Sequence, residues 1–200
     1  MSDRLAERFA HDTYVLRRKL LTFLGQKFHI YDPDGNIVLF AKLKAFKLRE
    51  DIRLYTNDTQ DVEVLAIRTQ SIFDFGGTYD IVDSMSGDVL GALRRRGVRS
   101  MFRDNWLVLD AEGEEVGKVH EDSMLKAFAR RNIPYAGALF RQGYSFELGG
   151  EEVATMTRGW NPIIERTTLD LSPDTQHRLD PRLALAATVL LAAVEGRQQG

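Results

Sequence analysis

Between Leu183 and Val194 every residue except Thr188 is apolar. A helix built from this run has hydrophobic surface on all sides and must be buried. Residue types favoured at helix ends flank it: Asp180 suits the N-cap, Pro181 the first helical position, and Gly196, after Glu195, a place just past the last turn. Within the predicted helical segment, residues 180–195, the turns from Pro181 to Glu195 would run roughly 22 Å at 1.5 Å per residue, well short of the ~30 Å hydrocarbon core of a bilayer. It is therefore expected to be a domain core and not a membrane span. Its six large side chains are Leu183, Leu185, Val189, Leu190, Leu191 and Val194. Burying them is worth about 9–18 kcal/mol as an upper bound, which rivals the ~5–15 kcal/mol net stability of a whole domain. The rest of the chain must wrap this segment.

Two hundred residues with sixteen glycines and five prolines suit one turn-rich domain. The chain has no cysteine, which excludes disulfides and thiolate metal sites and fits a reducing compartment. Met1 to Asp12 is charged and lacks the apolar run of a signal peptide, so the expectation is a soluble, cytoplasmic protein. A net charge of −2 argues against bulk nucleic-acid binding, but the charge is unevenly spread. Residues 13–49 carry eight Lys or Arg against Asp32 and Asp34, whereas residues 104–122 carry seven acids against Lys118.

Asp3 to Phe9 predicts a short helix, with Leu5 and Phe9 at i, i+4 on one face; residues 1–12 form an N-terminal helical extension. Residues 13–171 then read as short strands separated by Gly, Asp and Asn clusters, at the spacing of an all-β barrel or sandwich. Phe28 to Tyr31 enters the turn Asp32-Pro33-Asp34-Gly35-Asn36 and leaves through Ile37 to Phe40, a hairpin. The pattern Phe28-x-Ile30-x-Asp32-x-x-Gly35-x-x-Val38 recurs as Trp106-x-Val108-x-Asp110-x-x-Gly113-x-x-Val116, an offset of 78 residues. Looser copies turn at Ser86-Gly87 and Gly149-Gly150. The offsets vary, which points to repeated hairpins within one closed sheet and not to a solenoid. One further helix is expected over Glu121 to Arg131, ended by Asn132-Ile133-Pro134, followed by a strand near Ala136 to Arg141 and a last strand over Ile163 to Leu171.

These hairpins, a basic strand before the first of them and the apolar C-terminal helix together resemble the LURF-one-related family, which is grouped with Tubby C-terminal domains and phospholipid scramblases. The resemblance covers about Thr13 to Glu195, most specifically Lys27-Phe28-x-Ile30-x-Asp32-x-x-Gly35-Asn36 and Leu183 to Val194. It implies a mainly β fold: a closed, twelve-stranded Tubby-like β-barrel wound around a central hydrophobic helix, in a single domain. It also implies a binding or scaffold module, with contact to anionic phospholipid headgroups as the leading reading. A protein-protein assembly module and scramblase-like lipid transport are the alternatives. The palmitoylated cysteines of scramblases have no counterpart here, so dual lipid anchoring is missing.

Chemical motifs are scarce. Asp32 to Asn36 has its glycine at the fourth position where a calcium loop needs it at the sixth, and no closing Glu. His11, His29, His120 and His177 lack zinc-ligand spacing, and Gly76-Gly77 lacks the helix a dinucleotide loop needs. A carboxylate pair can be assembled in three dimensions, for instance Asp74 with Asp80 near the Gly76-Gly77 turn, but nothing in the spacing singles it out. No catalytic residue, cofactor or metal site is expected. The basic clusters remain. Arg17, Arg18 and Lys19 precede the first hairpin, and Arg94, Arg95, Arg96 and Arg99 occupy a repeat-equivalent place. They are the candidate contacts to an anionic membrane surface, against a bland reading as solvated strand faces paired with the acids of residues 104–122. A protein partner is the other expectation; no nucleic acid is expected.

Overall fold

A computed structural model describes residues 2–19, 26–43, 52–69, 77–95, 106–121, 140–159 and 164–198. A short helix, α1 (Ser2–Glu7), leads into twelve strands: β1 (Thr13–Lys19), β2 (Gln26–Tyr31), β3 (Ile37–Leu43), β4 (Ile52–Tyr55), β5 (Glu63–Thr69), β6 (Thr78–Asp83), β7 (Val89–Arg95), β8 (Trp106–Leu109), β9 (Glu115–Glu121), β10 (Phe140–Leu148), β11 (Glu151–Gly159) and β12 (Ile164–Asp170). A second helix, α2 (Pro181–Gln198), ends the chain. Each strand pairs antiparallel with the next, and β1 pairs with β12, so the sheet closes into a twelve-stranded barrel.

The bore explains the apolar run. An eight-stranded barrel is just wide enough for its own side chains to fill it, and diameter grows with strand number, so twelve strands leave room that something must occupy. The filler is α2, in which every residue from Leu183 to Ala193 is buried and Val194 half-buried. Alanines at 184, 186, 187, 192 and 193 keep the helix slim, and Tyr14, Phe28, Trp106 and Phe146 project from the strands into the same core. The one polar residue of the run, Thr188, satisfies its hydroxyl by donating to Ala184 O at 2.8 Å.

The repeated hairpins share one turn chemistry. Gly35 N donates to Asp32 O and Gly113 N to Asp110 O, at 3.1 and 3.2 Å, and both glycines have φ of +87°. In each case the aspartate side chain accepts the backbone N–H four residues on, from Asn36 at 2.7 Å and Glu114 at 2.8 Å. Asp83 opens a similar turn, closed by Gly87 at φ +83°. This is why the Asp-x-x-Gly pattern repeats: aspartate satisfies the loop amides and glycine adopts the positive φ. Burial disfavours the charged form of Asp32, but the hydrogen bonds from Asn36 outweigh it and hold its carboxyl below the usual range.

At the start of α2 the sequence reading holds: Asp180 caps the helix, its Oδ1 accepting from Arg182 N at 2.8 Å, with Pro181 at the first position. The far end differs. Gly196 does not stop the helix, which continues through Arg197 to Gln198. A glycine near a terminus costs only about 1 kcal/mol, and the two good helix formers after it carry the last turn. Of the further helix expected over Glu121 to Arg131, Glu121 is the end of β9 and the remainder lies outside the described residues, as do Ala136 to Leu139, Asp74 and Gly76.

Candidate functional site

The barrel divides the basic clusters by wall and by face. In the closed order β1 and β7 stand six places apart in a ring of twelve, on opposite walls. Arg17 and Arg94 therefore do not share a surface. Along β1, Tyr14, Leu16 and Arg18 point into the bore and Arg17 outward, because strand side chains alternate. Lys19 closes β1 opposite Ile164. Arg94 is exposed and Arg95 half-buried; Arg96 and Arg99 lie outside the described residues.

Around Arg17 the register assembles a basic outer wall that the linear sequence does not display. Arg17 stands directly opposite Arg166 of β12 on one side and His29 of β2 on the other. His29 in turn faces Phe40 of β3, their rings 4.9 Å apart. Two residues along β2, Lys27 faces Lys42 of β3, both exposed. Two like-charged pairs thus sit face to face across neighbouring strands, an arrangement that destabilises a sheet unless an anion lies over it. The Arg17 guanidinium lies 4.3 Å over the Tyr31 ring, and its Nε has no hydrogen-bond partner among the described residues. None of Arg17, Lys27, Lys42 and Arg166 forms an ion pair with a described residue. All four lie on the half of β12–β1–β2–β3 nearest the C-terminal end of α2.

Arg18 is enclosed and has a different role. It bonds to Glu165 Oε2, and one Nη donates to Ala192 O at 3.1 Å near the C-terminal end of α2. Arg158 Nε lies 3.1 Å from the other oxygen of Glu165. Arg18, Glu165 and Arg158 are 4%, 7% and 3% exposed, so two cations and one carboxylate share the bore. The negative end of the helix dipole also favours positive charge at this place. This cluster ties β1, β12 and β11 to α2 and cannot reach a surface ligand.

The opposite mouth, around the N-terminus of α2, holds Arg182. Its Nε and one Nη donate to Asp180 at 3.1 and 2.7 Å, and the other Nη to Asp83 Oδ2 at 2.5 Å. The Asp180 hydrogen bond, with the charge of Asp83 behind it, raises the Arg182 pKa further. Among the histidines, His120 Nε2 is 3.4 Å from Glu147 Oε1, and among the described residues no three His, Asp or Glu groups converge as metal ligands.

A twelve-stranded antiparallel barrel threaded by its own C-terminal helix, with a basic outer wall and a charged mouth, defines a β-barrel module. Among the described residues no helix is long and apolar enough to cross a membrane. The chain belongs to the LURP-one-related family, whose family model matches residues 39–192. It is also similar to the X-ray structure of a protein from Arabidopsis thaliana, at 14% identity over 94% of this chain and 95% of that one, with a TM-score of 0.50; at that identity the likeness is one of fold. No curated protein matches the chain.

Proposed function

We propose that this barrel is a non-enzymatic binding module of the Tubby-like type that docks, through the outer wall of β12–β1–β2–β3, on anionic phospholipid headgroups. The observation that carries the reading is the pair of opposed like charges, Arg17 with Arg166 and Lys27 with Lys42, none of them in an ion pair among the described residues. Each Lys or Arg near an anionic leaflet contributes about 1 kcal/mol, so four give weak, reversible binding of roughly 4 kcal/mol. Tyr31 and His29 stand beside the cations, and amphipathic rings of this kind suit a headgroup interface.

Two other readings receive less support. Scramblase-like transport asks α2 to leave a bore in which Leu183 to Ala193 are wholly buried. A protein-docking surface calls for a contiguous apolar patch, whereas the exposed large hydrophobics among the described residues are Met85 in a turn, Val89 on β7 and Val116 on β9.

Co-sedimentation with phosphatidylcholine vesicles, with and without phosphatidylserine, tests the proposal. The protein is expected to pellet only with the anionic vesicles and to be released near 1 M salt, where the Debye length falls to ~3 Å. Removing one opposed pair, as Arg17→Ala with Arg166→Ala, should weaken binding roughly thirtyfold, about 2 kcal/mol. Arg94→Ala, on the far wall, should change nothing. Equal pelleting with neutral and anionic vesicles sinks the idea.

A further inference from the structure

We infer that the barrel meets an anionic leaflet end-first, with the C-terminal end of α2 toward the lipid and the hairpin-turn end held in water; the inference rests on the headgroup docking proposed above. In a closed antiparallel barrel every second connection lies at the same end. Residues 32–36, 56–62, 84–88, 110–114, 149–150 and 171–180 thus gather around the N-terminus of α2, where Arg182 bonds Asp83 at the β6–β7 turn. Together they carry ten Asp or Glu, and Arg178 is their one Lys or Arg. The whole chain has a net charge of only −2, so the remaining residues carry a positive excess. The N-terminal segment does not alter the balance at this end, since Asp3 and Glu7 offset Arg4 and Arg8.

The docking wall is itself polarised. Arg17, Arg166, Lys27 and Lys42 occupy its half near the C-terminal end of α2, and Asp12, Asp32, Asp34 and Asp170 stand where β1, β2, β3 and β12 meet the turns at the other end. Arg17 and Asp12, Lys27 and Asp32, and Arg166 and Asp170 are four or five residues apart, about 13–17 Å at ~3.3 Å per residue. Charges are screened over ~8 Å at physiological salt. A barrel lying flat would press these four acids on the leaflet together with the four cations, and repulsion would cancel attraction. Tilted onto its basic end, the same wall keeps the cations in contact and lifts the acids out of reach of the surface. The mouth beneath α1, a cavity of about 680 Å³ bordered by Leu5, Phe9 and Met85, opens at the lifted end. It stays open to water on a docked barrel.

The chain has no cysteine, so a fluorophore can be attached at single sites of the full protein. Gly159→Cys places it on the outer wall opposite Arg166, where an added Cβ meets only Arg166 O at 3.7 Å. Ser172→Cys places it in the exposed turn beyond β12. With both labelled proteins pelleting on phosphatidylserine vesicles that carry a nitroxide quencher on their headgroups, the label at Gly159→Cys is expected to be quenched and that at Ser172→Cys to keep its emission. Unlabelled Asp34→Asn with Asp170→Asn should bind within about twofold of the parent, because acids held beyond a Debye length do not feel the surface; a flat barrel would gain roughly thirtyfold. Equal quenching of both labels, quenching of neither, or that gain in affinity overturns the inference and leaves headgroup docking standing. Quenching at Ser172→Cys alone, or pelleting that is absent or indifferent to vesicle charge, overturns both.

Discussion

Arg17 and Arg18 are adjacent in sequence and do unrelated work. One lies over Tyr31 on the outer wall; the other bonds Glu165 and a carbonyl of α2 inside the bore. Removing the shared carboxylate should expose how much the inner cluster contributes. In Glu165→Gln, Arg18 and Arg158 both lose the carboxylate they share, and breaking a buried pair from one side costs about 3–5 kcal/mol. Urea unfolding should show that loss, while vesicle binding by the folded fraction stays intact. Composition revealed Arg17, Arg18 and Lys19 as one basic cluster, but a strand's period of two splits such a run between faces, and which residue turns inward depends on register. For the same reason Arg166, Lys27 and Lys42 went unrecognised as partners of Arg17. Arg166 meets Arg17 across strands separated by most of the chain, which leaves no mark in local spacing, and Lys27 meets Lys42 only through a hairpin register that a bulge at Ile30–Tyr31 shifts. Asp32 and Asp110 were legible because their partners are only three and four residues away.

Among the elements, α2 and the hairpins were readable, since their signals are local: an apolar run with capping residues, and Asp-x-x-Gly turns. α1 was readable as a helix, but its attachment was not. Arg8, just past α1, donates from Nη1 to the carbonyls of Ile37, Val38 and Thr56 at 3.1, 2.9 and 3.1 Å. Tyr14 Oη donates to Arg8 O at 3.2 Å and accepts from His11 N at 3.1 Å. These bonds latch the segment across the ends of β3 and β4, and burial raises the Tyr14 pKa. α1 is only six residues long and has little stability of its own. Arg8→Ala should therefore free it while sparing the barrel. Hydrogen exchange is expected to lose protection in residues 2–12, with global stability lowered by no more than about 1–3 kcal/mol. Unchanged exchange there would mean that Leu5 and Phe9, packed on the core, hold the segment without the latch.

Across the whole molecule, closure of β1 on β12 and the presence of α2 in the bore set the basic wall and the cavity at opposite ends. The basic wall gathers near the C-terminus of α2, and the cavity opens at its N-terminus. Strands of seven residues span roughly 20–23 Å, more than twice the ~8–10 Å Debye length at physiological salt. Charge placed at one end is therefore screened from the other. A packed helix connects the ends, but its N-terminus rests on Gly91, where an added Cβ would come 2.6 Å from Leu109 O and 3.3 Å from Leu183 Cδ1. At φ +150° and with that overlap on both β8 and α2, Gly91→Ala should displace one of them and lower stability by about 1–3 kcal/mol; urea unfolding checks this, and an unchanged midpoint would mean that the contact has slack.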